Sequence, residues 1–547
     1  MVAQVGSLAQ EIAWSSFAPE LPPTAAALAL LLLAVAGRRR IGVAAFLAVI
    51  GVGVGVGLIV LDPDTLVLPG AVAVVLGLAT LAATIVAPKQ PTLVGAWVGA
   101  VSLAGALALT GWQYVTVLAP ADDLMAVQGA LQGSVANDGI AFFTRLTVYL
   151  AALLVIPIGY GYLHDRRIHR AEVEPLLLLS VVGMAALGTA NDLITMFVAL
   201  EVLSLALYVL AGLARRDRRS QESSLKYFVL GAVASAILLY GMALIYTVTG
   251  SVDLAAIGTA LGLVTTTPLL AGIGLALVTV GVGFKIALAP FHLWTPDVYQ
   301  GAPTNVTAFM AAATKAAGFA MVLRLFLVAF PALQDLWVPA LSVLAAITML
   351  YGAYVAVVQH DIKRMLAYSS VTHAGYATIG VVAVSNAGLS ATLWYLLTYA
   401  VATIGAFGVV IAIERLRRGE VTLLDLRGLG RTSPLLAGIL SLCLLSLAGI
   451  PATAGFVGKL AVFEAGIEAG LTWLVVVGVA SSVVAAFFYL RIAGTMFLEE
   501  PEEGRAVPLV TTGLSVGTSV AAALVLFLGL QPALFLELAD QAASLVR

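Results

Sequence analysis

The sequence predicts an all-α polytopic membrane protein with about sixteen transmembrane helices, and three observations support this class. Of the 547 residues, 61% are hydrophobic and only 10% are charged, far below the roughly 25% charged fraction of soluble domains. Apolar runs of about 20 residues, the length that crosses a bilayer, follow one another along the chain. The 53 glycines are typical of apolar helices that pack closely together.

Composition also excludes several functions. A net charge of −2 is not that of a nucleic-acid-binding protein, so we predict no nucleic-acid partner. The single cysteine, Cys443, excludes a disulfide framework, a thiolate-bound iron–sulfur cluster and a structural zinc site. We therefore predict that this chain carries no cofactor, no metal and no redox centre.

The apolar runs divide the chain into sixteen candidate spans, each long enough to cross the hydrocarbon core. In order they cover about 18–37, 41–61, 68–87, 93–118, 139–162, 174–190, 192–213, 223–249, 267–291, 302–330, 336–358, 363–385, 389–413, 434–468, 471–497 and 507–534.

The basic residues indicate the orientation of these spans, because cytoplasmic loops are enriched in Lys and Arg. Nineteen of the 27 basic residues lie in alternate loops: Arg38, Arg39, Arg40, Lys89, Arg166, Arg167, Arg170, Arg215, Arg216, Arg218, Arg219, Lys363, Arg364, Arg415, Arg417, Arg418, Arg427, Arg431 and Arg505. The opposite loops, such as DPDTLVL, contain none, and Arg547 lies on that side at the C-terminus. We predict a multi-pass protein of the cell inner (plasma) membrane with both termini on the outer side.

Seven basic residues fall within the spans, where a charge costs about 2.5 to 3.5 kcal/mol unless it is paired, hydrated or functional. We interpret Arg145, Arg324 and Arg491 as side chains that snorkel from near a span end. Glu201 lies far from both ends of its span. Lys226 is nearer to an end, where both snorkelling and pairing with Glu201 fit.

Lys285, Lys315 and Lys459 lie well inside their spans, and two of them stand beside a proline. Lys285 precedes Pro290 by five residues, and Lys459 follows Pro451 by eight. A proline opens the helix, and at membrane depth the freed backbone groups must face protein or water. A partly desolvated amine there holds or releases its proton according to neighbouring charges.

Each broken helix is the fourth of a five-helix unit, and the two units run in opposite directions. This arrangement indicates two inverted five-helix repeats of a transporter, with a plain pair of proline kinks as the alternative. The chain then divides into 1–138 (about four N-terminal helices), 139–173 (a fifth helix and basic loop), 174–330 (first repeat), 331–498 (second repeat) and 499–547 (C-terminal loop and helix).

Two histidines are candidates for an accessory proton relay. His292 lies just past the first break, where an interfacial histidine that bonds backbone is an equally good interpretation. His373, within YSSVTHAGY, sits deeper and beside hydroxyl side chains. It is the better candidate of the two.

Four stretches carry a close resemblance to a known family: ALEVLSLALYVLAGL, GFKIALAPFHLWTPDVYQGAPTNVTAF, HDIKRMLAYSSVTHAGY and LSLAGIPATAGFVGKLAVF. They resemble the antiporter-like membrane subunits of the proton-translocating NADH:quinone oxidoreductase, bacterial complex I, over about residues 139–534. The string PFHLWTPDVYQGAP is most similar to the subunit N branch. Two helices, about 41–61 and 68–87, are additional to the family's common fourteen, and Ala452 replaces a common second proline.

The resemblance implies a translocase subunit that couples electron transfer from NADH to quinone with proton pumping. It implies that Glu201 and Lys226 form a regulatory pair, that Lys285 and Lys315 are central relay lysines, and that Lys459 serves the second broken helix. NADH, FMN, iron–sulfur clusters and quinone then belong to partner subunits in the same membrane. A subunit of a cation/proton antiporter, or of another ion-pumping redox complex, is the alternative.

Overall fold

The computed structural model describes residues 18–35, 40–61, 67–87, 90–118, 128–130, 133–263, 267–416, 419–501, 508 and 510–544. Some basic residues used to predict the orientation lie outside the described residues: Arg38, Arg39, Lys89, Arg417, Arg418, Arg505 and Arg547.

The described residues are almost entirely helical. The first helices are α1 Leu21–Val35, α2 Arg40–Leu61, α3 Val67–Val86, α4 Pro91–Gln113, α5 Gly139–Asp165, α6 Val173–Thr189, α7 Leu193–Ala211, α8 Arg218–Thr249, α9 Leu254–Gly262, α10 Leu269–Ile286 and α11 Trp294–Gly301. The next are α12 Thr304–Ala329, α13 Gln334–Val357, α14 Ile362–Val382, α15 Asn386–Glu414, α16 Pro434–Ala448, α17 Ala454–Glu468, α18 Thr472–Leu498, α19 Thr512–Leu530 and α20 Ala533–Ser544. A small antiparallel ribbon, β1 Gln128–Ala130 and β2 Val135–Ala136, precedes α5.

Each predicted span overlaps at least one of these helices. Within the described ranges, eleven helices are long and apolar enough to cross a membrane, and α1, α2, α6 and α16 contain shorter apolar stretches. The all-α polytopic class is therefore confirmed, while the number of sixteen crossings stays a prediction. Helix α8 begins five residues before the predicted 223, because the Asp217 side chain accepts a hydrogen bond from the Arg219 amide at its N-terminus.

Helices α12 and α15 form the centre of the molecule, and nearly all of their side chains are buried. Helix α15 packs against α5, α14, α16, α17, α19 and α20. Gly408 permits one of these close approaches, since a methyl group there would lie 2.3 Å from the Thr518 methyl carbon. The central position of α12 and α15 brings their polar side chains into the interior.

The two helices predicted above to be additional, α2 and α3, form a hairpin at the periphery. Helices α2 and α3 pack mainly against each other. A methyl group at Gly51 would come within 3.1 Å of the Gly77 Cα atom, so the two backbones nearly touch. Phe46, Val49 and Leu78 are exposed on the outer faces, as expected for side chains that meet lipid.

Both predicted breaks are present. Helix α10 ends at Ile286, Ala287 adopts a left-handed conformation (φ +62°), and α11 begins at Trp294 beyond Pro290. Helix α16 ends at Ala448, Gly449 is left-handed (φ +86°), and α17 begins at Ala454 beyond Pro451. Helix α12 contains two further irregularities, π-helical segments at Met310–Thr314 and Arg324–Ala329.

The snorkelling interpretation of Arg145 and Arg324 is wrong. Each is 1% exposed, and each pairs with a buried carboxylate. Arg145 Nε lies 2.6 Å from Glu20 Oε1, and Arg324 donates to both Asp138 oxygens at 2.8 and 3.0 Å. Arg491 is half-buried and donates to a loop carbonyl at 3.2 Å. Internal pairing thus replaces the contact with the interface that the sequence suggested.

Candidate functional site

The three deep lysines are buried inside the protein rather than turned toward lipid. Lys285, Lys315 and Lys459 are 6%, 3% and 5% exposed. Among the described residues, no carboxylate lies within 4.0 Å of any of these ammonium groups. Hydrogen bonds and aromatic ring faces are therefore what offset the cost of removing each charge from water.

Lys285 occupies the last turn of α10, immediately before the first break. Its Nζ donates to the Ser204 hydroxyl on α7 at 2.9 Å and lies 6.0 Å from the centre of the Tyr227 ring. The Glu201 carboxylate is within electrostatic range on the same α7. The amine is thus poised between a hydroxyl and a nearby negative charge.

Lys315 follows the π-helical segment of α12 directly. Its Nζ donates to the backbone carbonyl of Ser370 in α14 and lies 5.8 Å from the centre of the Tyr399 ring. Gly318, one turn later, leaves room for Ile286, because a methyl group there would lie 2.9 Å from Ile286 Cγ2. The missing side chain at Gly318 lets the last turn of α10, which carries Lys285, approach the helix that carries Lys315.

Lys459 lies one turn into α17, beyond the second break. Its Nζ donates to the Ala448 carbonyl at 2.8 Å and to the Ser482 hydroxyl at 2.8 Å. The ring of Tyr376 lies beneath it, 4.7 Å from Nζ to the ring centre. The ammonium group is held by the end of one half-helix, by α18 and by an aromatic face.

A continuous series of side chains joins Lys315 to Lys459. The His373 ring centre lies 4.9 Å from that of Tyr399, which faces Lys315, and 5.6 Å from that of Tyr376, which faces Lys459. Both ammonium groups are within electrostatic range of His373. This places the histidine that the sequence favoured midway between two of the predicted relay lysines.

Hydroxyl groups surround His373 on both sides. Its Nδ1 lies 2.5 Å from Tyr395 Oη, and its Nε2 lies 3.1 Å from Tyr489 Oη, which also contacts Ser369. A cavity of about 10 Å³ adjoins the ring, roughly the space of one water molecule. Such a hydrogen-bonded network has groups that both accept and donate protons.

The predicted pair of Glu201 and Lys226 is absent. Glu201 accepts from Ser235 at 2.6 Å, and Lys226 Nζ lies 2.7 Å from Asp297 and 2.5 Å from Glu222. Ser235 is nine residues beyond Lys226 on α8, roughly 13 Å along the helix axis. That separation exceeds the reach of a lysine side chain, so the two groups do not meet in this conformation.

Asp297 is the site residue that sequence reasoning missed. It lies on α11 and binds Lys226 through one oxygen and Arg364 through the other, at 2.7 Å each. The signal was present, because Asp297 belongs to the string PFHLWTPDVYQGAP that carries the resemblance. The tyrosines around His373 gave no comparable signal, since buried aromatic residues are ordinary core residues.

His292 lies in the first break, is 3% exposed and packs its ring 4.9 Å from that of Tyr351. In the described part of the chain, its Nδ1 has no hydrogen-bond partner. None of its contacts with described residues links it to Lys285, Lys315 or Lys459. Its accessory role therefore stays a prediction without a structural connection to the path.

Side chains of the protein bond several of the backbone groups at the breaks. The Ala289 amide donates to Thr348 Oγ1, and the Trp294 indole donates to the Phe284 carbonyl, each at 2.9 Å. At the second break the Gly455 amide donates to Ser446 Oγ at 3.0 Å. These bonds explain how broken helices persist at membrane depth.

Known proteins share this sequence and architecture. The family described as NADH:quinone oxidoreductase/Mrp antiporter, TM, matches residues 190–485. NADH-quinone oxidoreductase subunit N of Rhodococcus opacus is 53% identical over 381 residues, 69% of this chain and 70% of that protein. The same subunit of Trichlorobacter lovleyi is 41% identical over 485 residues, 88% and 97% of the two chains.

A solved structure agrees with these relatives. One chain of respiratory complex I from Thermus thermophilus with bound aureothin is 37% identical, with a TM-score of 0.70, and covers 85% of this chain and 99% of its own. The family match over residues 190–485 spans both broken helices and includes Lys285, Lys315 and Lys459. The chain therefore belongs to the NADH-quinone oxidoreductase subunit N family, the antiporter-like membrane subunits of respiratory complex I.

Proposed function

We propose that protons cross the membrane in this chain through Lys285, Lys315, His373 and Lys459, in that order. The observation that carries the proposal is the unbroken series of contacts from Lys315 through Tyr399, His373 and Tyr376 to Lys459. Amines, imidazole and phenol hydroxyls all exchange protons, so each neighbour in the series is chemically competent.

Glu201 is the group that controls the first lysine. Its negative charge favours the protonated form of Lys285. A positive charge brought to Glu201 would cancel this effect and favour proton release toward Lys315. Lys226 can supply that charge only after its release from Asp297 and a movement of α8 along α7. Asp297 and Glu201 are then the two carboxylates that Lys226 exchanges in a switch.

The electron-transfer chemistry belongs to other subunits of the complex. NADH, FMN, iron–sulfur clusters and quinone are held there, and this chain contributes no redox centre to the translocase. The two inverted repeats, 174–330 and 331–498, each provide one broken helix to the path. The basic loops face the cytoplasm, and both termini face the outer side of the cell inner membrane.

The test is Lys285→Ala in the intact complex, reconstituted in sealed vesicles, with NADH:quinone turnover and proton uptake followed together. We expect coupled turnover to fall by about tenfold or more, as for removal of an acid–base group. Arg431→Ala, an exposed change on a basic loop, is the matched control. Wild-type turnover and uptake in a fully assembled Lys285→Ala complex would remove Lys285 from the path.

A further inference from the structure

A basic cavity of about 860 Å³ lies between the α5–α6 loop, the α7–α8 loop and the joint of α11 and α12. Eight basic residues line it, Arg166, Arg167, Arg170, Arg215, Arg216, Arg218, Arg219 and Lys363. Four acidic residues accompany them, Asp217, Asp361, Glu414 and Glu420. The described lining thus has four more positive than negative charges.

Among the residues that the structure describes, several of these positive charges have no carboxylate partner. Arg166 pairs with Glu414, and Arg219 pairs with Glu420. In the described ranges, no carboxylate lies within 4.0 Å of four other arginines: Arg167, Arg170, Arg216 and Arg218. Lys363 is 5% exposed, and its Nζ donates one hydrogen bond to the Ala302 carbonyl at 2.7 Å. The cavity is therefore suited to an anion.

An apolar groove of about 450 Å³ adjoins the same loop. Helices α7 and α8 form it with the side chains of Leu205, Tyr208, Val209, Leu225 and Phe228, and Gly212 lies at its end. Four of these side chains are about half exposed or more. Residues 213–219, which follow Gly212 directly, line the basic cavity. The apolar groove and the basic cavity are therefore separated only by the α7–α8 loop.

We propose that this loop binds an anionic phospholipid, with its phosphate against Arg216 and Arg218 and an acyl chain in the groove. Guanidinium groups bind phosphate oxygens through paired hydrogen bonds, and basic pockets beside transmembrane helices select anionic headgroups. The apolar groove favours a lipid over free phosphate, because inorganic phosphate has no group to fill it. This binding does not depend on the proposed proton path.

The experiment compares photoactivatable phosphatidylglycerol with photoactivatable phosphatidylcholine, each added in trace amount to vesicles that contain the intact complex. Labelled peptides are mapped by mass spectrometry. We expect phosphatidylglycerol to label residues 205–228 more strongly than phosphatidylcholine does. In the Arg216→Gln/Arg218→Gln variant, the ratio of the two labelling yields should fall on the order of 20-fold, about fivefold per arginine. Arg431→Gln, a basic-loop residue outside the cavity, is the control and should retain it.

Equal labelling by the two lipids in the unsubstituted complex would by itself overturn the proposal. Retained preference in the double variant would overturn the role of the two arginines. Millimolar inorganic phosphate should leave the labelling unchanged. If it abolishes the preference, the cavity is a site for free phosphate, and the lipid assignment fails.

Discussion

Lys459 Nζ donates a hydrogen bond to the carbonyl oxygen of Ala448, 2.8 Å away, across the break at Pro451. This carbonyl belongs to the last turn of α16, where backbone acceptors have no intrahelical partner and the helix dipole is negative. One amine thus stabilises the broken helix and occupies the end of the candidate proton path. Substitutions that keep the charge but block proton release separate these two roles.

Lys459→Arg should assemble normally but fail to transfer protons. Arginine retains the charge and donates to Ala448, yet it does not release its proton in proteins. We expect NADH:quinone turnover and proton uptake in sealed vesicles to fall by about tenfold or more. Lys459→Met should add a loss of stability of about 1–3 kcal/mol, because the Ala448 carbonyl loses its bond to the ammonium group and keeps only the 3.4 Å bond from the Ser482 hydroxyl. Wild-type pumping by the arginine variant would show that Lys459 only stabilises the break.

The two histidines should differ in their effect on pumping. His373→Gln interrupts the contacts between Tyr399 and Tyr376, so proton uptake per NADH oxidised should fall severalfold. His292→Gln, matched in chemistry, touches Tyr351 outside that series and should leave the ratio near its normal value. Both variants are measured by quenching of a pH-sensitive dye in the same vesicles. An equal loss in the two variants would contradict the path through His373.

Asp297→Asn should alter coupling with little loss of stability. The carboxylate and its partners Lys226 and Arg364 are each about a third exposed, so their ion pairs contribute only about 0–1 kcal/mol. If Lys226 exchanges between Asp297 and Glu201, removing the Asp297 charge should lower coupled turnover two- to tenfold. Glu222→Gln, which removes the more exposed partner of Lys226, is the control. Unchanged turnover in Asp297→Asn would exclude the switch.

Arg324 and Asp138 form a buried ion pair. Losing the arginine alone should destabilise the chain more than losing both charges. Arg324→Met leaves an uncompensated buried carboxylate and should destabilise the chain by about 3–5 kcal/mol. Adding Asp138→Asn removes that charge, and the amide oxygen retains an acceptor for the Ala141 amide at the start of α5. The double variant should therefore recover much of the yield and thermal stability of the assembled complex. A double variant as unstable as Arg324→Met would mean that the arginine stabilises the chain through packing and its bond to the Gly188 carbonyl rather than through the Asp138 charge.

The sequence predicts that the three deep lysines and the two prolines lie inside the protein, because such residues are energetically costly in contact with lipid. A lysine in the middle of an apolar run, or a proline beside one, persists mainly where protein or water surrounds it. Lys285, Lys315 and Lys459 accordingly lie in the buried interior. The energetic cost of a charge at membrane depth is enough to predict this burial, without any knowledge of which residues the lysines contact.

The partners themselves could not be predicted, because they come from distant parts of the chain. Arg145 bonds Glu20 across 125 residues, and Lys226 bonds Asp297 across 71. Position within a span indicates depth in the membrane, but it does not indicate which face of a helix meets which neighbour. This is why position along the chain suggests an interfacial place for Arg145 and Arg324 and does not indicate Asp297 as a partner of Lys226.

The π-helical segment before Lys315 sets the direction in which the Lys315 ammonium group points. That direction depends on how many residues the segment contains, more than on which residues they are. Each residue turns an α-helix by about 100°, and the wider π turn at Met310–Thr314 changes the side on which Lys315 emerges. Deleting one residue from that turn would keep every functional side chain and yet direct the amine away from Ser370 and Tyr399. Alignment gaps in this short stretch are therefore as informative as substitutions at the lysine itself.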